Sequence, residues 1–278
     1  MHTGGEIMVK CLEAEGVDIL FGYPGAAICP FYDALYDSPI RHVLVRSEQN
    51  AAHMASGYAR ASGRPGVCVA TSGPGATNLI TGIATAYMDS IPMVAITGQV
   101  NLEQLGRDVF QEADVTGACE SFTKHSYLVK SPEELPRVFK EAFHIAATGR
   151  PGPVLIDVPE DVQEALVETF HYPETADIPG YKPKTAGHPL QMKRALEAIA
   201  QAKRPVICCG GGVVLSGARR EMAAFAEKSG IPVVSTMMGI GVMPMDSPVY
   251  LGMIGKFGRS YANRAIGEAD LILLCGAR

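Results

Sequence analysis

A carboxylate and a glycine-rich turn are the parts of this sequence best suited to chemistry. Glu48 follows a predicted strand, His42 to Val45, and opens a predicted helix, Gln49 to Ser62. Ser72-Gly73-Pro74-Gly75 follows the predicted strand Val67 to Thr71 and precedes an apolar helix. In parallel α/β sheets, ligands bind outside the carboxyl ends of the strands, where both features fall. Glycines let the backbone approach a ligand, and a helix N-terminus favours an acceptor or an anion.

Each feature alone also has an ordinary structural interpretation. A glutamate at a helix start is common, because it complements the helix dipole. A Gly-Pro-Gly turn can simply reverse the chain, and this one matches neither the dinucleotide nor the Walker phosphate pattern. Three more segments are open to both interpretations, as loops or as sites: Phe110-Gln111-Glu112-Ala113-Asp114, Gly149-Arg150-Pro151-Gly152-Pro153 and Gly210-Gly211-Gly212.

Strands and helices alternate around these residues. Runs rich in valine and isoleucine are typical of strands buried on both faces of a parallel sheet. The alternation predicts an α/β fold with a doubly wound, mostly parallel sheet. Besides those already given, the predicted elements of this part are helix Glu6 to Glu15, strand Asp18 to Gly22, helix Ala76 to Tyr87, strand Met93 to Thr97, helix Glu133 to Ala147 and strand Pro153 to Val158.

A proline-rich stretch, residues 169–189, divides the chain and is predicted to be a linker between domains at 1–168 and 190–278. The second domain is expected to be Rossmann-like. Because the chain stops at Arg278 directly after a predicted strand, we expect that domain to be incomplete and the chain to be a fragment or a split-gene product. Its predicted elements are helix Leu190 to Ala202, strand Pro205 to Cys209, helix Ala218 to Ser229, strand Pro232 to Ser235, helix Ser260 to Gly267 and strand Leu271 to Cys275.

The composition excludes several classes of function. The 278 residues carry a net charge of −5 and no basic block, which argues against nucleic acid or an anionic membrane as a partner. The seven cysteines form no C-x-x-C pair, so zinc and thioredoxin-like sites are not expected, and most are predicted to be buried in a reducing cytosol. No signal pattern or membrane-length apolar run occurs, which predicts a soluble cytoplasmic protein.

Read in order, the motifs resemble the large catalytic subunit of the acetohydroxyacid synthase (acetolactate synthase) family, which uses thiamine diphosphate. The resemblance covers essentially the whole chain. The Ser-Gly-Pro-Gly turn is shared with other thiamine-diphosphate enzymes, whereas Phe110-Gln111-Glu112 with Thr123-Lys124-His125 is more particular to this family. The other matching motifs are Phe21-Gly22-Tyr23-Pro24-Gly25, Glu48-Gln49, Gly57-Tyr58-Ala59-Arg60-Ala61, Thr71 to Asn78, Ile96-Thr97-Gly98-Gln99, Gly149 to Pro153, Gly210-Gly211-Gly212, Leu251-Gly252-Met253 and Gly276-Ala277-Arg278.

The resemblance implies a role for Glu48. In the family, the matching carboxyl group bonds the aminopyrimidine ring of the cofactor. Donation of a proton to a ring nitrogen helps the ring to remove the proton from the thiazolium carbon, which then attacks pyruvate. The resemblance also implies that Gln111 and Lys124 line the substrate entrance, where a cation suits an anionic 2-keto acid. Further thiamine-diphosphate contacts implied in this way are Pro24, Gly25, Ser72, Gly73, Pro74, Gly75 and Asn78.

The same resemblance implies FAD in the second domain and active sites shared between chains of a homo-oligomer, with a small regulatory subunit as a further possible partner. The substrates would be pyruvate and 2-oxobutanoate, on the route to valine, leucine and isoleucine. The sequence has no Gly-Asp-Gly, so the ligands of magnesium are expected outside this chain, which would then be inactive alone. The FAD contacts implied are Arg150, Gly210, Gly211, Gly212, Leu251, Gly252, Met253, Gly276 and Arg278.

Three departures from the family pattern are Ser47 before Glu48, Ala26 after Gly25, and Asn101 in place of a proline. Two alternatives remain open from sequence. Another thiamine-diphosphate enzyme, such as a pyruvate oxidase or a glyoxylate or sulfoacetaldehyde enzyme, would share Glu48 and the glycine turn. A non-catalytic fragment that binds only a partner or a flavin is the second alternative.

Overall fold

The computed structural model describes residues Met1–Arg278, which form two compact units, Met1–Lys184 and Thr185–Arg278. The division falls inside the predicted linker, residues 169–189, but most of that stretch belongs to unit 1. Phe170, Tyr172, Ile178 and Tyr181 pack against the core of that unit. Residues 169–184 of the predicted linker are therefore part of unit 1, and the boundary lies after Lys184. None of the helices has both the length and the apolar character needed to cross a membrane.

Unit 1 contains eight strands and eight α-helices. The strands are β1 (His2–Thr3), β2 (Ile19–Gly22), β3 (Arg41–Leu44), β4 (Gly66–Ala70), β5 (Met93–Gln99), β6 (His125–Leu128), β7 (Pro153–Pro159) and β8 (Leu166–Val167). The helices are α1 (Gly4–Ala14), α2 (Cys29–Tyr36), α3 (Glu48–Ser62), α4 (Pro74–Asn78), α5 (Ile80–Asp89), α6 (Val115–Cys119), α7 (Leu135–Ala147) and α8 (Glu160–Glu164).

Six of these strands form one parallel sheet in the order β3-β2-β4-β5-β7-β6, while β1 and β8 make a short antiparallel pair. Strands β4, β5 and β7 are buried along their whole length, as expected for central strands covered on both faces. One core includes residues of α1, α2 and α7, and a second includes residues of α3 and α5. The predicted doubly wound α/β sheet is confirmed.

Local sequence explains several helix boundaries. Helix α1 begins with a reciprocal capping box, in which Thr3 accepts from the Glu6 amide and the Glu6 carboxylate accepts from the Thr3 amide. Helix α3 ends at Gly63, which adopts a left-handed conformation with φ of 73°. The single helix predicted from Ala76 to Tyr87 is instead two helices, α4 and α5, which meet at Leu79.

Unit 2 contains four strands and four α-helices. The strands are β9 (Pro205–Cys209), β10 (Val233–Ser235), β11 (Tyr250–Met253) and β12 (Leu271–Cys275), and the helices are α9 (Pro189–Gln201), α10 (Gly211–Leu215), α11 (Arg219–Ser229) and α12 (Ser260–Glu268). The strands form a second parallel sheet in the order β11-β10-β9-β12. Two small apolar cores accompany this sheet: one includes residues of α10 and α11, and the other includes a residue of α12.

Most of the cysteines behave as small apolar residues, as predicted. Those buried are Cys11, Cys68, Cys119, Cys208 and Cys209. Burial raises the pKa of the Cys68 thiol to about 12, so it stays protonated. Cys29 is the exposed exception, and its thiol donates to the Gly25 carbonyl oxygen at 3.3 Å.

Candidate active site

Glu48 and Asn78 meet at the carboxyl edge of the unit 1 sheet. Glu48 is the first residue of α3, just after β3, and Asn78 is the last residue of α4, which follows β4. The Asn78 side chain donates from Nδ2 to Oε2 of Glu48 at 3.0 Å. Glu48 is only half-buried in this single chain. The predicted carboxylate is therefore at the edge where ligands bind in such sheets, and one of its oxygens is already oriented.

Two glycine turns close around the side chain of Thr71, which follows β4. A β-carbon added at Gly25 would lie 2.6 Å from Cβ of Thr71, and one added at Gly75 would lie 2.8 Å from its Cγ2. Real β-carbons do not approach so closely, so only glycine fits at either place. The added β-carbon of Gly75 would also lie 3.6 Å from Oε1 of Glu48. Gly25, Thr71, Gly75 and Glu48 thus form one cluster, here called the glycine cradle.

The segment that carries Gln111 lies against the same turn. A β-carbon added at Gly73 would be 2.9 Å from Cα of Gln111. Gln111 itself has φ of 58°, an uncommon conformation for a residue with a side chain. The next residue, Glu112, accepts from the amides of Gly106 and Val109. These backbone bonds, that of Gly106 first, hold the pKa of the Glu112 carboxyl below its usual range.

Lys124 lies elsewhere, directly before β6 at the amino edge of the sheet. Its ammonium donates to the Thr148 carbonyl at 2.7 Å, to the Ile145 carbonyl and to the Tyr181 hydroxyl at 3.0 Å. It therefore pairs with carbonyl groups at the end of α7, which lack partners within the helix. Within this chain Lys124 and Gln111 therefore lie at opposite edges of the sheet, because a residue before a parallel strand lies at the opposite edge from one after it. The role of Lys124 at the substrate entrance stays a prediction.

Arg150 also precedes a strand, β7, and is exposed at the amino edge. It donates from Nε to Oγ of Ser90 at 2.8 Å and from Nη2 to the Tyr87 carbonyl at 2.7 Å. Its guanidinium also lies over the Tyr87 ring, 5.1 Å from the centroid. The two hydrogen bonds use two of five N–H groups, so donors remain for a ligand.

The glycine triplet of unit 2 follows β9, as predicted, and meets the segment that follows β12. A β-carbon added at Gly212 would lie 2.7 Å from Cα of Gly276. The backbones therefore touch at the carboxyl edge of this sheet, with Arg278 two residues further along. Leu251, Gly252 and Met253 belong to β11 and end at the same edge.

Comparison with family models decides the class of protein. Residues 2–118 match the model described as thiamine pyrophosphate enzyme, N-terminal TPP binding domain, and residues 192–278 match its central domain. The chain belongs to the thiamine pyrophosphate enzyme family. Thiamine pyrophosphate is the cofactor called thiamine diphosphate above, so the membership of the thiamine-diphosphate enzymes that the motifs predicted is confirmed.

Individual relatives of this thiamine pyrophosphate enzyme chain are acetolactate synthases. A probable acetolactate synthase large subunit of Methanocaldococcus jannaschii is 57% identical over 99% of this chain and 47% of its own length. The acetolactate synthase large subunits of Corynebacterium glutamicum and Haemophilus influenzae are 50% and 46% identical over 99% of this chain, which spans 44% and 48% of them. The chain thus spans about half the length of the curated relatives it matches.

The glycine cradle fits the aminopyrimidine ring of the family's cofactor. Thr71 is only 8% exposed, and its Oγ1 is buried without a hydrogen-bond partner. A buried hydroxyl without a partner is costly, which suits an atom that bonds a ligand. The ring offers nitrogen acceptors and an amino donor, and the cradle presents a hydroxyl, a carboxyl group and glycine backbone. Thr71 was not among the cofactor contacts predicted from the sequence. The sequence signal that could have indicated it is its position, as a polar residue at the end of an apolar strand directly before the glycine-rich turn.

Proposed function

We propose that this chain provides the aminopyrimidine half of a thiamine-diphosphate site in an acetolactate synthase large subunit. The supporting observation is the Asn78–Glu48 hydrogen bond beside the glycine cradle, at the carboxyl edge of the sheet. The reaction is proposed from the relatives: decarboxylation of pyruvate and transfer of the two-carbon unit to pyruvate or 2-oxobutanoate. The products, 2-acetolactate or 2-aceto-2-hydroxybutanoate, would supply branched-chain amino-acid synthesis.

The bound cofactor would supply a carbon nucleophile and an electron sink. Glu48 would hold a proton for a ring nitrogen. We assign that proton to Oε1, because Oε2 accepts from Asn78 and Oε1 is the oxygen beside Gly75. The glycines at 25 and 75 would let the ring reach the backbone, and the Thr71 hydroxyl would make a further hydrogen bond. Such fixed polar groups orient a ligand without reorganisation during the reaction.

The remaining parts of the proposal concern other groups. Gln111 is proposed at the substrate entrance, because its backbone adjoins Gly73. The junction of Gly210–Gly212 with Gly276 is proposed to bind flavin, as is Arg150 through its remaining donors. Magnesium would bind the cofactor's diphosphate through ligands outside these 278 residues, and the active protein would be a homo-oligomer. These parts are supported by the similarity to acetolactate synthases.

A chimera tests the proposed function. Residues 1–278 would replace the matching half of the Methanocaldococcus jannaschii relative, and the purified protein would be supplied with pyruvate, thiamine diphosphate, magnesium and FAD. Formation of 2-acetolactate is expected. A folded chimera that binds the cofactor but releases only acetate or acetaldehyde from pyruvate would contradict the assignment to acetolactate synthesis.

A further inference from the structure

A buried hydrogen-bonded bridge joins the middle of the sheet to the segment that carries Gln111. Asp157, on β7, is 1% exposed, and its carboxylate accepts from Oγ1 of Thr97 at 2.6 Å and from Nε2 of Gln99 at 2.9 Å. The same Nε2 of Gln99 donates to the Ala113 carbonyl at 2.9 Å. This pair of bonds, from Asp157 through Gln99 to Ala113, is here called the Gln99 bridge.

The bridge fixes the orientation of the Gln99 amide. Both of its N–H groups are used, and its Oε1 accepts from the Val100 amide at 2.9 Å. Exchanging the oxygen and nitrogen would place the amide oxygen against the Ala113 carbonyl oxygen and the NH2 group against the Val100 N–H, which is repulsive. Gln99 is 2% exposed, so water cannot replace these partners at low cost. The position of Ala113 relative to the sheet is therefore set by two specific bonds.

Ala113 lies two residues after Gln111, whose backbone adjoins Gly73 with φ of 58°. A left-handed conformation at a residue with a side chain costs energy and persists only where surrounding contacts impose it. Glu112 holds the amino side of the segment through the amides of Gly106 and Val109. The Gln99 bridge holds its carboxyl side. Between these two anchors, Gln111 is kept against the glycine turn.

We propose that Gln99 and Asp157 are positioning residues, which hold Gln111 against Gly73 at the thiamine-diphosphate site through the Ala113 carbonyl. The proposal rests on the proposed function, because it assigns the segment to that site. Gln99 acts directly on the backbone of the segment, and Asp157 acts through Gln99, so neither needs to touch the ligand.

Amide hydrogen exchange in residues 106–114 of the 278-residue chain tests the bridge. Gln99→Met removes the donor to Ala113 and should raise exchange in this segment about tenfold, the effect of losing a buried hydrogen bond. Thr97→Val is the matched control, because it removes the other donor to the same carboxylate at an equally buried site. It should lower Tm without changing exchange in residues 106–114. An equal rise of exchange in both variants, or no rise in either, would contradict the role of the Gln99 bridge in holding this segment.

If Gln99→Met does not unfold cooperatively, Gln99→Asn replaces it and is judged in the same way. This variant keeps a polar amide but places it on a side chain one methylene shorter, away from the Ala113 carbonyl. Titration of thiamine diphosphate and magnesium into the chimera, followed by calorimetry, then tests the positioning role. Gln99→Met should weaken the binding of thiamine diphosphate severalfold, and Thr97→Val should not. Faster amide exchange in residues 106–114 with unchanged affinity would contradict the positioning role of Gln99. No binding by the chimera that carries the wild-type residues would instead count against the proposed function, while the exchange result would still decide the bridge.

Discussion

Asn78 donates a hydrogen bond from Nδ2 to Oε2 of Glu48 at 3.0 Å, joining the helix after β4 to the helix after β3. The bond orients one oxygen of the carboxyl group and leaves Oε1 beside Gly75. Asn78→Ala in the chimera should therefore slow exchange of the cofactor's C2 proton by roughly tenfold, as expected for loss of one hydrogen bond. Asn50→Ala, an exposed amide in the first turn of α3, is the control and should leave exchange unchanged. Equal rates in all three proteins would contradict an orienting role for Asn78.

Thr71→Val should affect ligand binding and stability in opposite directions. The Oγ1 of Thr71 is buried without a partner, so replacing the hydroxyl by a methyl group should leave the free chain as stable or stabilise it by about 1 kcal/mol. Affinity for thiamine should fall, because a ligand hydrogen bond is lost. Urea unfolding and an NMR titration measure the two effects. A clear loss of stability with unchanged affinity would show that the hydroxyl serves the fold alone.

Lys124→Met should reduce stability and spare substrate binding. The ammonium bonds two carbonyls at the end of α7 and the Tyr181 hydroxyl, so its loss should cost about 1–3 kcal/mol. In the chimera, KM for pyruvate should not change. A raised KM for pyruvate without lower stability would instead support the entrance role inferred from the family resemblance.

Asp157 should make stability depend on pH. Burial raises the pKa of its carboxyl from 3.8 to about 7, against the lowering effect of the bonds from Thr97 and Gln99, and Asp114 adds to the rise. The folded state thus holds this proton more tightly than the unfolded state. The stability contributed by the protonated Asp157 carboxyl is fully present below about pH 4 and is lost as the pH rises through about 7.

The measurement compares wild type with Asp157→Asn, which cannot ionise but can still accept from Gln99. Between pH 5 and pH 8 the free energy of unfolding of the wild type should fall by on the order of 2 kcal/mol relative to the variant. A difference that stays constant, or that grows in favour of the wild type, would contradict the raised pKa.

The sequence allowed the position of Glu48 to be predicted because strand–helix alternation places every βα turn at one edge of a parallel sheet. It did not allow Lys124 to be placed, because β6 was missed. This strand, His125–Leu128, is a four-residue edge strand without the continuous apolar run that marked the central strands. Without it, nothing showed that Lys124 precedes a strand and lies at the opposite edge.

The packing of residues 169–184 on unit 1 was not predicted from the sequence, for a different reason. The prolines of this segment are typical of linkers, but Phe170, Tyr172 and Tyr181 are spaced among them and pack on unit 1. Tyr172 also donates to Glu15 at 2.8 Å. The hydrogen bonds of Tyr181 and Tyr172 join residues 33 to 157 positions apart, which no local pattern reveals. The orphaned hydroxyl of Thr71 was likewise visible only once both glycine turns were in place.

The central claim is that Glu48 exchanges a proton with the cofactor, and Glu48→Gln in the chimera tests it most directly. Glutamine keeps the size of the side chain and can still bond Asn78, but it cannot pass a proton to a ring nitrogen. Exchange of the cofactor's C2 proton and Tm are measured on the same variant. We predict exchange slower by about 10²–10⁴-fold, typical of losing an acid–base group, with little change in Tm. Normal exchange with a lowered Tm would instead show that Glu48 is only a favourable charge at the start of α3.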